Sequence, residues 1–574
     1  MKILLTAINA KYIHSNLAVY DLRAYAKEYR DSVELAEYTI NHRSEYILQE
    51  IYKRKPDVLC FSCYIWNYEY VKEVASEFHK LRPEVPIWVG GPEVSYEIER
   101  MFVENPSFYG VVIGEGEATF SELCAYYCKG KKGSLSDIAG IAYRNGEKYD
   151  DRNEGSPAIT RTKPRAPIDL SSIPFCYEDM TDFENRIIYY ESSRGCPFSY
   201  SYCLSSIDKC LRFREIELVK KEHQFFIDKK VPQVKFVDRT FNCRHDHAMA
   251  IWTYIHEHDN GITNFHFEVS ADLLNEKEIA LINRMRPGLI QLEIGVQSAN
   301  EITIREINRT MKIDVLSTIV DKIKKGNNVH QHLDLIAGLP YEGYESFGKS
   351  FDRVYKMNPE QLQLGFLKVL KGSVMHDRAQ EYGIVYQDRA PYEVLSTKWL
   401  TYAEVIRLKQ IEEMVEVYYN SGQFCCTMAA LEQEFASPFC MYECLAAYYD
   451  EKNAFAVSHS RIGRYEILYD FIVKTCKERS EQYMEMLTLD MYLRDNVKKR
   501  PEFLRESGVS SDEAAAFYKK EEKERTYLKA YEGYDRRQMR KMTHLERIDG
   551  KTVLFDYKNR DPLTGNAAIY YLSE

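Results

Sequence analysis

The chain has 574 residues, of which 45% are hydrophobic and 29% charged, and its formal net charge is −10. This is the composition of a globular protein long enough for several domains. An acidic chain is not expected to bind nucleic acid or an anionic membrane, and no apolar stretch approaches the roughly 18 residues that span a bilayer. Because the N-terminus also lacks a signal-peptide cleavage site, we expect a cytoplasmic protein with reduced cysteines.

The first part of the chain alternates short β-rich runs with amphipathic helical stretches. The runs cover residues 2–9, 33–40, 57–64, 86–91 and 110–116, and a helix is predicted over 69–81. Alternating strands and helices predict an α/β fold, a doubly wound parallel sheet with helices on both faces. In such a sheet, ligands bind beyond the carboxyl ends of the strands.

A second series of strands and helices follows a hairpin-like stretch, residues 138–149, and a segment rich in Pro, Arg and Ser, residues 155–174. Its six strands are predicted at 186–193, 233–240, 264–271, 289–298, 332–340 and 361–369. Six parallel units predict a partial, TIM-like (β/α)6 barrel with its chemistry at the strand carboxyl ends. The remainder is mostly helical, with a closing hairpin at 552–557 and 568–572. We therefore predict domains over 1–150, 185–375 and 376–574, with a linker over 151–184.

One glycine turn, "VIGEGEATF" at residues 112–120, carries two carboxylates. A dinucleotide fingerprint requires a third glycine where Thr119 stands, and Glu115 and Glu117 would repel a pyrophosphate. The turn suits a ligand that presents amide or hydroxyl donors. An ordinary strand-to-helix turn with acidic residues at the helix start is the alternative, and the spacing does not separate the two. His14, in the first loop, is either a metal ligand or a solvated or capped histidine.

The segment "RGCPFSYSYC", residues 194–203, lies between a predicted strand and a helix. A C-x₃-C-x₂-C loop would bind three irons of a [4Fe–4S] cluster, but Tyr200 stands where the middle cysteine is expected. A phenol with a pKa of about 10 is a poor substitute for a thiolate. Cys210 is a candidate for the third ligand, and its alternative is a half-buried helix cysteine.

Several stretches together resemble the radical S-adenosylmethionine (SAM) family, in its cobalamin-binding branch, over about residues 1–375. They are "GGPEVS", "GEGEATF", "ESSRGCPFSYSYC", "FVDRTFN", "EIGVQSAN" and "DLIAGLPYE". The resemblance implies a cobalamin domain ahead of the partial barrel. It also implies a [4Fe–4S] cluster on Cys196 and Cys203, with SAM on the open iron, and an electron donor such as flavodoxin or ferredoxin.

The resemblance also places candidate cofactor contacts. For cobalamin they are Asn9, Ala10, Tyr12, Ser62, Gly90, Gly91, Pro92, Gly114, Glu115, Gly116 and Glu117. For SAM they are Glu268, Ser270, Glu293, Gly295 and Gln297. The D-x-H-x-x-G signature that gives cobalt a histidine is absent, so no histidine ligand from that motif is expected.

The activity that the resemblance favours is methyl transfer to an unactivated carbon of a small molecule, with rearrangement or cyclisation as alternatives. With Tyr200 in the loop, three other options are a three-iron or labile cluster, a domain that binds SAM without radical chemistry, and a loop that never holds iron. The rival function is a non-catalytic cobalamin- or SAM-binding protein that has lost the middle cysteine. In the C-terminal region, Cys425, Cys426, Cys440 and Cys444 are candidates for an auxiliary cluster or a zinc site. Burial as small apolar side chains is their alternative.

Overall fold

The computed structural model describes residues 1–149 and 157–572. Its first sheet has seven strands in the order β2–β1–β3–β4–β5–β6–β7. The strands are β1 Ile3–Asn9, β2 Val33–Thr39, β3 Val58–Ser62, β4 Ile87–Gly90, β5 Gly110–Val112, β6 Ile141–Tyr149 and β7 Pro157–Arg161. The helices between them are α1 Leu17–Tyr25, α2 Ser44–Arg54, α3 Tyr68–Leu81, α4 Ile98–Glu104 and α5 Glu117–Cys128.

Strands β1 to β5 of this sheet are parallel, as the alternating pattern predicts. All seven residues of β1 are buried, because α1 and α5 cover one face of the sheet and α2 and α3 the other. Strand order reverses at the β1–β3 pair. In a doubly wound sheet, this reversal opens a crevice beyond the carboxyl ends of the two strands, where ligands bind.

The antiparallel edge of the first sheet extends further than expected. The predicted hairpin at 138–149 is a single strand, β6, which pairs with β7; residues 150–156, between the two strands, lie outside the described residues. Strand β7 falls within the range predicted as a linker. A Pro- and Arg-rich strand is tolerated there because β7 is an edge strand.

The second sheet lies within residues 188–366. Its region contains β8 Ile188–Tyr190, β9 Ser193–Arg194, β10 Arg212–Phe213, β11 Gln233–Phe236, β12 Asn264–Val269, β13 Ile290–Gln297, β14 His330–Ala337 and β15 Gln361–Phe366. Six of these strands form a parallel sheet in the order β15–β14–β13–β12–β11–β8, while β9 and β10 form a separate antiparallel pair. Strands β8 and β15 are the edges, so the sheet is the predicted partial barrel.

Helices follow the barrel strands and pack against them. They are α6 Ile216–Asp228, α7 His245–Glu257, α8 Glu276–Ile282, α9 Glu301–Glu306, α10 Ile313–Lys324 and α11 Tyr344–Tyr355. Strand β12 illustrates how a barrel strand packs against the helices. Phe265 and Phe267 are buried in the hydrophobic core, and His266 and Glu268 alternate with them along the strand. The alternation places polar side chains on the opposite, inner face of the sheet.

The C-terminal region is mostly helical, as predicted, and ends in a three-stranded antiparallel sheet. It contains α12 Val374–Asp377, β16 Val385–Tyr386, β17 Val394–Ser396, α13 Tyr402–Val415, α14 Cys425–Leu431, α15 Pro438–Glu451, α16 Arg461–Thr475, α17 Ser480–Arg494, α18 Ser511–Glu524, α19 Arg536–Met542, β18 Thr543–Ile548, β19 Lys551–Arg560 and β20 Ala567–Tyr571. The predicted closing hairpin is β19–β20. Helix α15 rests on barrel helix α11, where the Phe439 ring fills the space beside Gly348.

No helix among residues 1–149 and 157–572 is both long and apolar enough to cross a bilayer.

Candidate active site between the two sheets

The crevice at the β1–β3 reversal is built from asparagine side chains that hold the strand ends together. Asn67 Nδ2 donates to the carbonyls of Ile8 and Ser62 at 3.0 and 2.9 Å. Asn16 Nδ2 donates to Ser62 Oγ at 3.3 Å. Asn16 is buried, and its Oδ1 accepts no hydrogen bond from the described residues. Asn16, which was not among the predicted contacts, therefore holds an unused buried acceptor beside the crevice.

The glycine turns of the first sheet serve different purposes. A Cβ at Gly91, whose φ is +119°, would lie 2.4 Å from the carbonyl oxygen of Cys63. Gly91 thus lets two loops approach each other. Gly116 faces the Leu22 side chain at 3.0 Å, whereas Gly114, with φ +74°, has nothing within 4 Å. Of these three glycines, Gly114 is the one that leaves open space for a ligand.

The loop after β1 reaches the barrel. His14 forms a parallel bridge with Ile187 beside the barrel's first strand, and its Nδ1 lies 2.5 Å from the Tyr189 hydroxyl. Burial and the charges of Lys11 and Lys235 lower the pKa of His14. Next in the same loop, Tyr12 is exposed, and the Arg186 guanidinium lies 5.2 Å from its ring centroid. The predicted cobalamin loop therefore borders the barrel.

The two carboxylates of the glycine turn at residues 112–120, Glu115 and Glu117, form ion pairs with arginines of the barrel. Arg194 Nη2 donates to Glu117 Oε1 at 2.7 Å, and the same nitrogen donates to Glu191. Arg212 Nη1 lies 2.6 Å from Glu115 Oε1. Glu115 and Glu117, which the resemblance predicts as cobalamin contacts, thus have cationic partners that neutralise the acidic turn. The unpaired atom here is Glu117 Oε2, which is buried without a described donor.

The cysteine loop closes on itself through its backbone. The Cys196 amide donates to the Asp208 carbonyl at 3.0 Å, and the Cys210 carbonyl packs against Gly195, where a Cβ would meet it at 2.6 Å. Cys196 is buried, Cys203 half-buried and Cys210 exposed. All three thiols thus belong to one compact loop, and Cys210 is not the half-buried helix cysteine of the alternative reading.

Tyr200 is held between aromatic and cationic neighbours. Its ring is parallel to those of Phe198 and Tyr202, with centroids 5.0 and 6.1 Å away, and the Arg309 guanidinium lies 4.7 Å from its centroid. Burial raises the pKa of Tyr200, although Arg309 acts in the opposite direction. A neutral, stacked phenol is a weak iron ligand, so Tyr200 here is a packing residue.

The predicted SAM contacts at the carboxyl ends of β12 and β13 are rigidly held. Asn242 donates to the Ser270 carbonyl and accepts from the Ser270 amide, both at 2.9 Å. Ser270 Oγ in turn donates to Asp272 at 2.7 Å. Gln297, with φ +72°, folds back so that its Nε2 lies 2.4 Å from the place of a Cβ on Gly295. Asn242 lies in the quoted "FVDRTFN" stretch and was not singled out.

Deeper in the barrel, the inward side chains of four adjacent strands form a polar cluster that sequence reasoning largely missed. Its members are Lys235, His266, Glu268, Glu293, His332 and Asp334. Lys235 Nζ and His266 Nε2 each lie 3.0 Å from Glu293 Oε2. The sequence contains a signal for this cluster, because strand segments such as "NFHFEV" alternate polar with apolar residues.

Burial and neighbouring charges separate the protonation states within this cluster. Burial alone would raise the pKa of Glu293, but the His266 hydrogen bond and the Lys235 charge lower it to about 2. Burial raises the pKa of Glu268 to about 7, although Arg239 opposes the change. Burial and the charge of Glu293 raise the pKa of Asp334. Burial lowers that of His332 to about 4.

The four C-terminal cysteines fall into two groups. Cys425 and Cys426 lie beside Asp490, with Cys425 Sγ donating to its Oδ1 at 3.4 Å. Cys440 and Cys444 lie one turn apart on α15 and are half-buried. A shared four-thiol site is not formed among the described residues, because the Asp490 group contains neither Cys440 nor Cys444.

Three family models match the chain in succession. Residues 3–124 match a B12 binding domain, and residues 190–354 match the Radical SAM superfamily. Residues 380–562 match a family described as "Protein of unknown function (DUF4080)".

Among curated proteins, the chain is similar to the cobalamin-dependent radical SAM methyltransferase TokK of Streptomyces tokunonensis. The identity is 24%, over 58% of this chain and 50% of TokK. The 2-(S-pantetheinyl)-carbapenam-3-carboxylate methyltransferase of Streptantibioticus cattleyicolor is 23% identical over 51% of this chain and 44% of that protein. The chain thus spans about half the length of these two relatives.

Two solved structures share the fold. OxsB, a cobalamin-dependent SAM radical enzyme, aligns with a TM-score of 0.58 over 85% of this chain and 79% of OxsB, at 14% identity. TsrM, a radical SAM methyltransferase from Kitasatospora setae, aligns with a TM-score of 0.54 over 67% of this chain and 77% of TsrM, also at 14% identity. With a B12 binding domain docked on a radical SAM partial barrel, the chain belongs to the cobalamin-binding-domain-containing radical SAM proteins.

Proposed function

We propose that this chain is a cobalamin-dependent radical SAM enzyme that transfers a methyl group to an unactivated carbon of a small molecule. The observation that carries the proposal is the contact between Arg194 and Glu117. This ion pair holds the cysteine loop, at the mouth of the barrel, against the glycine turn at residues 112–120 of the first sheet. A cluster bound at the cysteine loop and a corrin bound at the glycine turn would therefore be neighbours.

The crevice of the first sheet fits a corrin. Amide groups fringe that macrocycle, so acceptors are required around it, and Asn16 Oδ1 is a buried acceptor without a described donor. Gly114 leaves open space beside the turn. We propose that Asn9, Ala10, Tyr12, Ser62, Gly90, Gly91 and Pro92 also border the cobalamin, and that Glu115 and Glu117 act mainly by holding Arg212 and Arg194.

The cysteine loop fits a cluster if Cys210 serves as the third ligand. Cys196 and Cys203 would supply two thiolates, and the backbone of Cys210 lies against Gly195, the residue that precedes Cys196. When bound, a reduced [4Fe–4S] cluster with SAM supplies a deoxyadenosyl radical, and methylcobalamin supplies the methyl group. An electron donor such as flavodoxin or ferredoxin is therefore part of the proposal.

The chain's own residues orient SAM and shield the reaction. Ser270, fixed by Asn242, and Gln297, fixed against Gly295, are proposed to hold the SAM adenosine. Glu268 is proposed to accept from a SAM hydroxyl or amino group, because its pKa of about 7 leaves it able to accept or donate at neutral pH. The proposed domain division remains 1–150, 185–375 and 376–574, with β7 added to the first.

A second candidate is a cobalamin- or SAM-binding protein without radical chemistry. Tyr200 favours it, since a stacked, neutral phenol stands at the position of the middle cysteine.

Anaerobic reconstitution of the full chain with iron, sulfide and hydroxocobalamin tests the two. An enzyme should retain a cluster and corrin and release 5′-deoxyadenosine from SAM after reduction. A double variant, Cys196→Ser with Cys203→Ser, should lose iron while keeping corrin. The matched control Cys476→Ser, outside the loop, should keep both. Corrin retention without iron or SAM cleavage in the wild type would instead support the binding protein.

A further inference from the structure

Three potential metal ligands converge inside the barrel, away from the cysteine loop. One ligand atom each from Glu293, His332 and Asp334 lies within 4.8 Å of the other two. They come from adjacent strands, in which Glu293 is opposite His332 and Gly295 is opposite Asp334.

Two candidate ligand atoms of this trio, His332 Nε2 and Asp334 Oδ1, are buried next to each other. His332 is 7% exposed, and its Nε2 makes no hydrogen bond with the described residues; Asp334 Oδ1 is likewise buried without one. The two atoms lie 3.3 Å apart. Donor atoms bound to one ion at about 2.1 Å are separated by about 3 Å, so this pair already has the spacing of two ligands on one metal.

The third ligand is oriented by its neighbours. Lys235 and His266 both contact Glu293 Oε2 at 3.0 Å, and no described hydrogen bond or ion pair uses Oε1. Carboxylate ligands in metal sites are commonly fixed by such second contacts. Lys235 and His266 thus hold one carboxylate oxygen of Glu293, and Oε1 is the candidate ligand atom.

We propose that Glu293, His332 and Asp334 bind a single divalent transition-metal ion in the barrel. One imidazole and two carboxylates suit zinc, iron(II) or manganese(II). Glu293 is then a metal ligand rather than a SAM contact. Three protein ligands leave a position open for an oxygen or nitrogen of the substrate; this last role rests on the proposed function, whereas ion binding does not.

Cobalt(II) is the probe for this site, added to the full chain carrying Cys196→Ser and Cys203→Ser so that the cluster loop contributes no signal. Equilibrium dialysis should show one fewer cobalt ion per chain when His332→Gln or Asp334→Asn is introduced. The visible ligand-field bands of nitrogen- and oxygen-bound cobalt should be lost with that ion. The control His330→Gln lies on the same face of β14, outside the trio, and should change neither.

Circular dichroism and the unfolding temperature verify that each variant is folded, and Glu293→Gln provides a third variant if one of the others is not. Equal cobalt content and equal spectra in the parent and all trio variants would overturn the proposal, as would loss of the ion in His330→Gln. Either result would leave the proposed radical SAM activity untouched, because the measurement requires neither cobalamin nor SAM.

Discussion

Arg194 Nη2 donates to Glu117 Oε1 at 2.7 Å across 77 residues of sequence, and this bond joins the loop of Cys196 to the first sheet. Arg194 is 20% exposed and Glu117 is 7% exposed. Burial alone would lower the pKa of Arg194, but the charges of Glu191 and Glu117 outweigh it and raise the pKa. The pair is therefore a fixed part of the contact between the two sheets.

Replacing Arg194 with Gln should destabilise the protein. It leaves Glu117 and Glu191 without their cation in a largely buried position, which costs about 3 kcal/mol. The measurement is the unfolding temperature, together with protease cleavage between the two sheets. Arg100→Gln is the control, because its partner Glu104 is 48% exposed and such pairs contribute less than about 1 kcal/mol. Equal effects of the two substitutions would mean that the Arg194 contacts contribute no more than a surface pair.

Gly91→Ala should impair corrin binding through the backbone. The new methyl group would meet the Cys63 carbonyl at 2.4 Å, so the β4 loop must move, at a cost of about 3 kcal/mol. Gly130 is the matched control: its φ is +71° but nothing lies within 4 Å, so alanine there costs only about 1 kcal/mol. Retention of hydroxocobalamin on gel filtration should fall for Gly91→Ala and not for Gly130→Ala. Equal retention would show that the loop does not border the corrin.

Local patterns in the sequence were enough to predict both sheets and the helical C-terminal region. Strand β1, for example, is a continuous apolar run because both of its faces are covered. The contacts between domains were not predicted, since Glu115 and Arg212 are distant in sequence and an acidic turn carries no sign of its partner. Strand β7 was missed because an edge strand tolerates proline and charge.

Glu342 should make stability fall as pH rises. Burial raises its pKa from 4.5 to about 7, although hydrogen bonds from Ser350 and Ser298 oppose the change. The unfolded chain ionises first, so the stabilisation is complete below the unfolded pKa and is lost as pH rises through about 7. The loss amounts to about 3 kcal/mol. Glu342→Gln retains an acceptor for both serines without ionising.

The unfolding temperature of the wild type relative to Glu342→Gln should therefore decrease between pH 5 and pH 8. Glu301→Gln, an exposed substitution of the same kind, should follow the wild type at both pH values. Parallel curves for wild type and Glu342→Gln would show that Glu342 does not titrate differently in the folded state.

The third iron ligand can be identified by substitution in the cysteine loop. If Cys210 supplies it, the wild type should hold a full cluster, and Cys210→Ala should reduce bound iron and SAM cleavage. Tyr200→Cys should then add little iron to the wild type but restore it in the Cys210→Ala background, because the C-x₃-C-x₂-C spacing is recreated. If the loop has instead lost a ligand, Tyr200→Cys alone should raise iron towards the content of a [4Fe–4S] cluster.

Tyr200→Phe is the control for packing, since it keeps the ring between Phe198 and Tyr202 and removes only the hydroxyl. This variant should leave the iron content unchanged. Iron content near zero in the wild type and in every one of these variants would exclude the loop as a cluster site and, with it, the radical reaction.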